Sequence, residues 1–288
     1  MNVTTKEVKS ILTPQKSGFA TQGPYPFTHT LSTYTGCAFG NTTCGLYCYA
    51  QFLPNWTYAS DGAEWGAAVQ VKANAAEALE RTLKGMDGRQ RRTLRIFMSS
   101  TTDPYQPIEV QYSVTRGCLE VFARYDDLDL LVVQSRAPLA ARDFDLVAMI
   151  PYAWFSTTIE TDDDALLRSL RGGPSAAKRF ALIREAKARG IKTQIAVSPC
   201  LPYTERFVEM LVGSGVDRIV VDSFSEGDGA RGTRTARSPY AKWDPQWREH
   251  DRSRELFQAL QATGVEVGWS AAGFSSIVPR TSQPPLFQ

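Results

Sequence analysis

Apolar residues along this chain gather into short runs that recur between longer, helix-patterned stretches. "TLRIFMSS" (93–100) is a brief apolar run that ends in small hydroxyl residues, and "LDLLVVQS" (128–135) is another. Between them the spacing predicts a helix over 109–124, with Val110, Val114, Leu119 and Phe122 near one face. "AWFSTTIE" (153–160) is rich in β-branched and aromatic residues and reads as a strand. A long amphipathic stretch follows, "PSAAKRFALIREAKARG" (174–190), in which Pro174 suits the first turn and Gly190 the C-terminal cap. "IKTQIAVSP" (191–199) reads as a strand, 204–213 as a helix, "VDRIVVDSF" (216–224) as a strand and 245–262 as a helix, and "VEVGWSAAGF" closes the series. Earlier, "NAAE" (74–77) predicts a helix start, with Asn74 as N-cap and Glu77 reaching back.

Strand then helix, repeated roughly six times at about 25–35-residue spacing, implies parallel strands joined by right-handed crossovers. A full or partial (β/α) barrel competes with an open doubly wound sheet. No GxGxxG follows the first strand, which weakens the dinucleotide-binding version of the latter. The strand endings favour the barrel. "SSTTD", "QSR", "STTIE", "VSPC" and "VDSFSEG" each follow an apolar run with polar residues, and in such barrels the carboxyl ends of the strands line the active site. Any one of these endings could merely cap the next helix; five in succession are harder to explain that way.

Composition narrows the class. A chain of 288 residues can bury one large α/β core or two small ones. Hydrophobic content of 43% and charged content of 22% are ordinary for a globular protein, and a net charge of +2 argues by itself for neither nucleic acid nor membrane. No run of apolar residues is long enough for a membrane span, and the first residues lack the apolar region of a secretory signal. The expected location is the cytoplasm, where thiols stay reduced. Five cysteines there are not a disulfide framework. Three of them, Cys37, Cys44 and Cys48, crowd into "GCAFGNTTCGLYCYA", which reads as metal binding.

Three thiolates do not complete a structural zinc site, which takes four ligands. The two histidines are His29 and His250, so a Cys3His site through His29 is one solution, although it lacks the usual second short-spaced pair. A [4Fe–4S] cluster with one iron left open is the other, since cluster irons favour thiolates.

Several stretches carry a family resemblance: "GCAFG", "YCYA" with Tyr47 just before Cys48, the lead-in "SGFATQGPYPFTHTLSTYTGC", "SSTTDPYQPIE" (99–109), and then "TRGCLEVF", "VVQSRAPLAARDFDLV", "FSTTIET" and "ARGIKTQIAVSPCLP" in order. Over roughly residues 15–275 the chain resembles radical S-adenosylmethionine (radical SAM) enzymes, in particular the group similar to spore photoproduct lyase. The cysteine spacing departs from that superfamily's usual three and then two intervening residues. Here six residues separate Cys37 from Cys44 and three separate Cys44 from Cys48, as though a loop had taken insertions around "NTT". The implied fold is an α/β partial (β/α)6-type TIM barrel with an N-terminal cluster-binding loop. Residues 1–28 form an extension, 29–275 the barrel and 276–288 a tail.

The resemblance implies that Cys37, Cys44 and Cys48 ligate a [4Fe–4S] cluster, that the fourth iron binds S-adenosylmethionine, and that a flavodoxin- or ferredoxin-like donor supplies the electron. Tyr47 would lie against the adenine or shield the cluster, with core packing as its other reading. Ser100, Thr102 and Asp103 would accept from the SAM amine, although Asp103 before Pro104 also suits a turn. Arg136 would pair with the SAM carboxylate, or else sit solvated. Thr157, Thr158 and Glu160 would hold the ribose or carboxylate, with only one of the two threonines facing the pocket. Ser198 would lie near the adenine. Cys118 reads as a small buried apolar residue. Cys200, just past a strand end, reads mainly the same way, but could donate a hydrogen atom. Spore photoproduct lyases carry a cysteine for that purpose where this chain has Ser100, whose O–H bond is too strong for the task.

The loop at 225–243 would face the active site, and its Arg231, Arg234, Arg237 and Lys242 with Tyr240 and Trp243 suit phosphates and bases, as they also suit an ordinary exposed loop. The basic run at 84–95 precedes a strand and belongs to the opposite, solvated face. The implied activity is reductive SAM cleavage to a 5′-deoxyadenosyl radical, acting on nucleic acid or a nucleotide in a photoproduct-lyase-like repair reaction. The alternatives are radical modification of a small molecule or peptide, and a non-catalytic metal-binding module.

Overall fold

The recurring apolar runs are neighbouring strands of one sheet. The computed structural model describes residues 1–227, 230, 232–237 and 251–282. Among these, the strands are β1 (Asn2–Lys6), β2 (Leu12–Pro14), β3 (His29–Leu31), β4 (Tyr34–Thr35), β5 (Ala68–Lys72), β6 (Arg95–Met98), β7 (Leu130–Gln134), β8 (Ala153–Thr158), β9 (Lys192–Val197), β10 (Arg218–Val221) and β11 (Glu266–Trp269). The main sheet runs β11-β10-β9-β8-β7-β6-β3-β2. Every pairing from β3 to β11 is parallel, and β2 adds an antiparallel edge. No pairing among the described residues joins β11 back to β2 or β3, so the sheet is open. A separate three-stranded sheet, β1-β5-β4, packs beside it.

Strand alternation divides the apolar residues between two cores. One set, including Ile96, Met98, Leu131, Val133, Phe155, Ile195 and Val221, packs against the crossover helices in the main core. The other set, Phe97, Val132, Ala196 and Val220, faces the concave side and meets Ala20, Phe27, Phe274 and Ile277 there. Burial on both faces explains why these runs read as continuously apolar. Phe97 stands edge-on to Phe19, Phe27 and Phe274 at 5.5, 5.2 and 6.2 Å between ring centroids. Each fully buried side chain of this size contributes about 1.5–3 kcal/mol. Segments 19–27 and 270–277 thereby close the amino-terminal end of the concave face.

Three local expectations differ from the structure. Asn74 starts the helix Ala75–Lys84 but makes no side-chain cap bond; its amide instead clasps the Val8 backbone N–H and C=O. The helix expected over 109–124 breaks at Ser113, which is left-handed at φ 49°, so Val110 is exposed. The buried Glu109 carboxylate then receives the first N–H groups of the second piece, from Thr115 and Arg116. Pro174 lies before the helix Ala176–Ala188, whose N-cap is Ser175, bonded to the Lys178 N–H. At the other end Gly190 takes φ +74°, as its capping place requires.

Candidate functional site

The carboxyl ends of the parallel strands open into a cavity of about 1050 Å³, and Cys37, Cys44 and Cys48 all line it. The cysteine segment leaves β4 and folds as three short turns, Ala38–Asn41, Thr43–Leu46 and Tyr49–Phe52. Two glycines set its path. A Cβ at Gly45 would come within 1.8 Å of the Gly40 carbonyl oxygen, and one at Gly40 within 2.6 Å of the Gly66 nitrogen. The backbone therefore doubles back on itself where a side chain has no room. The extra residues between the cysteines are tied down. Asn41 donates to the Gly66 carbonyl (2.8 Å), Thr42 to that of Phe39 (2.7 Å), and Thr43 to that of Leu167 (3.1 Å), while the Thr43 N–H reaches Gly172 O (3.0 Å). On the other side, Thr102 Oγ1 donates to Gly36 O (2.6 Å) and the Ala38 N–H donates to Gln106 Oε1 (2.8 Å).

The three thiols lie at one cavity, and backbone N–H groups reach two of them. Backbone N–H groups of Asp103 and Phe39 point at the Cys37 sulfur, and that of Ala50 points at Cys48. Such N–H···S contacts help set cluster potentials. Without metal, burial pushes the Cys37 thiol up to about 12. Cys44 and Cys48 share a hydrogen bond that pulls Cys44 down and, with burial, pushes Cys48 well up. A coordinating metal deprotonates such thiols outright. His29 bonds Thr28 Oγ1 (3.0 Å) and does not line the cavity. Among the described residues no group of three His, Cys, Asp or Glu could hold a single metal ion.

The other expected residues separate into two sets. Ser100, Thr102, Asp103, Arg136, Thr158, Ser198 and Tyr47 line the cavity. Thr157, Glu160 and Cys200 do not. Thr157 is buried on the helix-facing side of β8, as alternation requires once Thr158 faces inward. Asp103 is fully engaged, accepting from Tyr105 N–H (2.8 Å), Ser135 Oγ (2.7 Å) and Arg136 N–H (2.9 Å). Glu160 is a buried hub: it accepts from Tyr47 Oη, Arg136 (2.6 Å) and Arg179, and its pKa is held well below the usual range, the two guanidiniums outweighing burial. Cys118 is fully buried in the main core, and Cys200 is 2% exposed there, with burial pushing both thiols up. Arg231, Lys242, Tyr240 and Trp243 lie outside the described residues. Arg237 is exposed, and Arg234 stacks over Phe52, 4.5 Å from the ring centroid.

Sequence reasoning missed several groups at the same cavity. Three residues that line it each carry a buried polar atom with no hydrogen-bond partner: Ser99 Oγ, Gln134 Oε1 and Asp222 Oδ1. Ser99 is left-handed at φ 76°, a strained conformation for a residue with a side chain. Gln134 donates to Thr158 Oγ1 (2.9 Å), which fixes its amide and leaves the oxygen without a partner. Asp222 accepts from Ser198 (3.3 Å), and burial raises its carboxyl to about 7, with Glu226 adding to the shift. Buried polar atoms without partners are uncommon in native proteins, and three around one cavity fit a polar ligand. The signal for Asp222 was present in "VDSFSEG", a polar strand ending like the others.

No protein-family model matches the chain. An uncharacterized protein of Methanocaldococcus jannaschii is 28% identical over 176 residues, which cover 60% of this chain and 61% of that protein. The chain thus spans less than two thirds of the curated relative it matches. Among solved structures, spore photoproduct lyase complexed with dinucleoside spore photoproduct superposes with a TM-score of 0.61 at 14% identity, over 93% of this chain and 81% of the other. A mutant of that lyase with bound AdoMet and the same dinucleoside superposes with a TM-score of 0.58 at 14% identity, over 93% and 80%. At such identity the likeness is one of fold: the chain has the fold of spore photoproduct lyase, which supports the resemblance read from its sequence. No helix among the described residues is long and apolar enough to cross a membrane.

Proposed function

We propose that this chain is a radical SAM enzyme whose Cys37, Cys44 and Cys48 hold a [4Fe–4S] cluster beside a seat for S-adenosylmethionine. One observation carries the reading: three cysteines and the polar ends of successive parallel strands line a single cavity that also holds unpartnered buried acceptors. When bound, and reduced by a flavodoxin- or ferredoxin-like donor, the cluster supplies the electron that splits the sulfonium C–S bond into methionine and a 5′-deoxyadenosyl radical.

The chain's own residues bind, orient and exclude water. Gln134 Oε1 and Ser99 Oγ are acceptors suited to the amine of S-adenosylmethionine. Ser100, Thr102 and Thr158 add hydroxyls at the same strand ends, and Ser198 with Asp222 adds a second polar group for the adenine or the substrate. Arg136, fixed by Glu160, keeps guanidinium N–H groups for a carboxylate. Tyr47 is fixed through its hydroxyl to Glu160 and packs edge-on against Phe224, so it shields the cysteine loop from water.

The substrate we propose is nucleic acid or a nucleotide, in a reaction like that of the photoproduct lyases; the shared fold supports it. Ser100 cannot quench a product radical as a cysteine would, so the reaction ends on another donor. The test is anaerobic reconstitution with iron and sulfide, followed by S-adenosylmethionine and a strong reductant. About four irons per chain and release of 5′-deoxyadenosine are expected, both lost in Cys37→Ala, Cys44→Ala and Cys48→Ala. Stoichiometric zinc with no iron uptake would overturn the reading.

A further inference from the structure

We propose that Lys6 and Lys72 form a seat for a substrate phosphate at the mouth of this cavity. The two residues are register partners on the neighbouring parallel strands β1 and β5, and both line the cavity. Lys72 belongs to the middle strand of the small sheet and is half-buried. Its Nζ donates to the Ser32 carbonyl at 2.6 Å, which fixes the ammonium and leaves two N–H groups for a ligand.

The usual explanation for a strand lysine covers one of the pair and not the other. Lys6 lies on an edge strand, where lysines guard against pairing with other chains. Lys72 does not, and nothing about sheet protection calls for an ammonium there. Its placement is costly. Burial lowers its pKa to about 8, the facing Lys6 adds to the shift, and Cys118 on the helix Val114–Phe122 acts the other way. A phosphate between the two ammoniums would relieve the repulsion and supply an opposite charge, and its oxygens would accept charge-assisted bonds from each.

The surroundings favour a phosphate that comes with a base. Gln70, on the same face of β5, lines the cavity with amide donors. Tyr58 also lines it and is 88% exposed, and the half-exposed Phe52 nearby in the chain carries Arg234 on its ring. Cations beside open aromatic faces suit the backbone and bases of a single strand.

This inference rests on the cavity being the substrate site of the reaction proposed above, though not on the cluster chemistry. Its test is the binding of a fluorescent oligothymidylate to the reconstituted protein across a salt series, for wild type, Lys6→Met, Lys72→Met and the double variant. Each single change should weaken binding roughly tenfold, the scale of a lost charge-assisted bond. The double variant should flatten the log–log salt slope by about one. Lys72→Arg, which keeps the charge, should recover most of the affinity and so separates charge loss from misfolding. Competition by thymidine 5′-monophosphate as well as by oligonucleotide would assign the phosphate to a nucleotide, and competition by oligonucleotide alone to a strand; either supports the seat. Unchanged affinity and slope in the double variant overturns it. So does equal binding of polyglutamate, or an equal loss of S-adenosylmethionine affinity in Lys72→Met, which would make the pair a cofactor contact. Release of 5′-deoxyadenosine without substrate is measured separately, so failure here is distinguishable from failure of the radical SAM reading.

Discussion

Glu160 and Asp222 follow two strands of the same sheet, both buried, and their surroundings push the two carboxyls in opposite directions from the ordinary range. Glu160 sits among Tyr47, Arg136 and Arg179, with its charge compensated. Asp222 has Ser198 and Ser270 as donors, Glu226 as a like-charged neighbour, and one oxygen unpartnered. Around the cysteines, Glu160 and its partners brace the cavity by bonds to one another. After β10, Asp222 keeps one oxygen without a partner, as Ser99 and Gln134 do at the ends of β6 and β7. Bracing suits a permanent cofactor, whereas unpartnered groups suit a ligand that comes and goes. On the proposed reading, breaking the braced contacts should cost the cluster, and changing the unpartnered groups should alter ligand binding.

The largest effect is expected from the braced region. Gly45→Ala puts a methyl into the Gly40 carbonyl, and the loop must open to admit it. Iron content after reconstitution should fall to the level of Cys44→Ala, while the far-ultraviolet circular dichroism of the sheet persists. Glu160→Gln should come next. It leaves the buried Arg179 and the half-buried Arg136 guanidiniums with too little negative charge and should cost about 3–5 kcal/mol in chemical denaturation. A depressed carboxyl contributes stability above its unfolded pKa and loses that contribution as pH falls through the folded value. The gap between wild type and Glu160→Gln should therefore shrink in acid.

Asp222→Asn should do the reverse. A carboxyl raised to about 7 burdens the folded state progressively from about pH 4 upward and fully above about pH 7. The variant should match wild type near pH 4 and exceed it by a few kcal/mol at pH 8, as melting curves at the two values would register. Equal melting at both would mean that Asp222 is partnered after all. Smallest is Cys200→Ala, with Cys118→Ala beside it. Each should cost about 1–2 kcal/mol through a small cavity in the core and leave iron content unchanged.

The strand ends were legible because an apolar run followed by hydroxyls is a local pattern, and the described strands β6 to β10 match it. Thr158 over Thr157 was decidable by alternation once β8 had a direction. The partners of Glu160 were not, since Arg179 comes from a helix that only the crossover brings back to the strand end. Lys72 escaped notice because β5 finds its neighbours through register with β1, far away in sequence and without a motif. The spacing of the cysteines reads as a tolerated insertion; its tight course depends on Gly40 and Gly45 meeting face to face, which no periodicity reports. Asn74 differs from expectation because its amide serves a distant segment, Val8, which outweighs its local capping preference. The break at Ser113 is local: it turns the Thr115 and Arg116 N–H groups onto the Glu109 carboxylate.

The floor of the concave face has a consequence for the order of synthesis. Ser275 Oγ donates to the Ala20 carbonyl and the Tyr25 N–H to the Ser275 carbonyl, so segments roughly 250 residues apart are stitched together beneath Phe97. On the ribosome, the strands from β3 to β10 exist before residue 277 has emerged, and during that time the sheet has a mouth at both ends. A ligand entering at that stage would meet a passage rather than a cup, and sealing the lower opening is left to the last part of the sheet to be made.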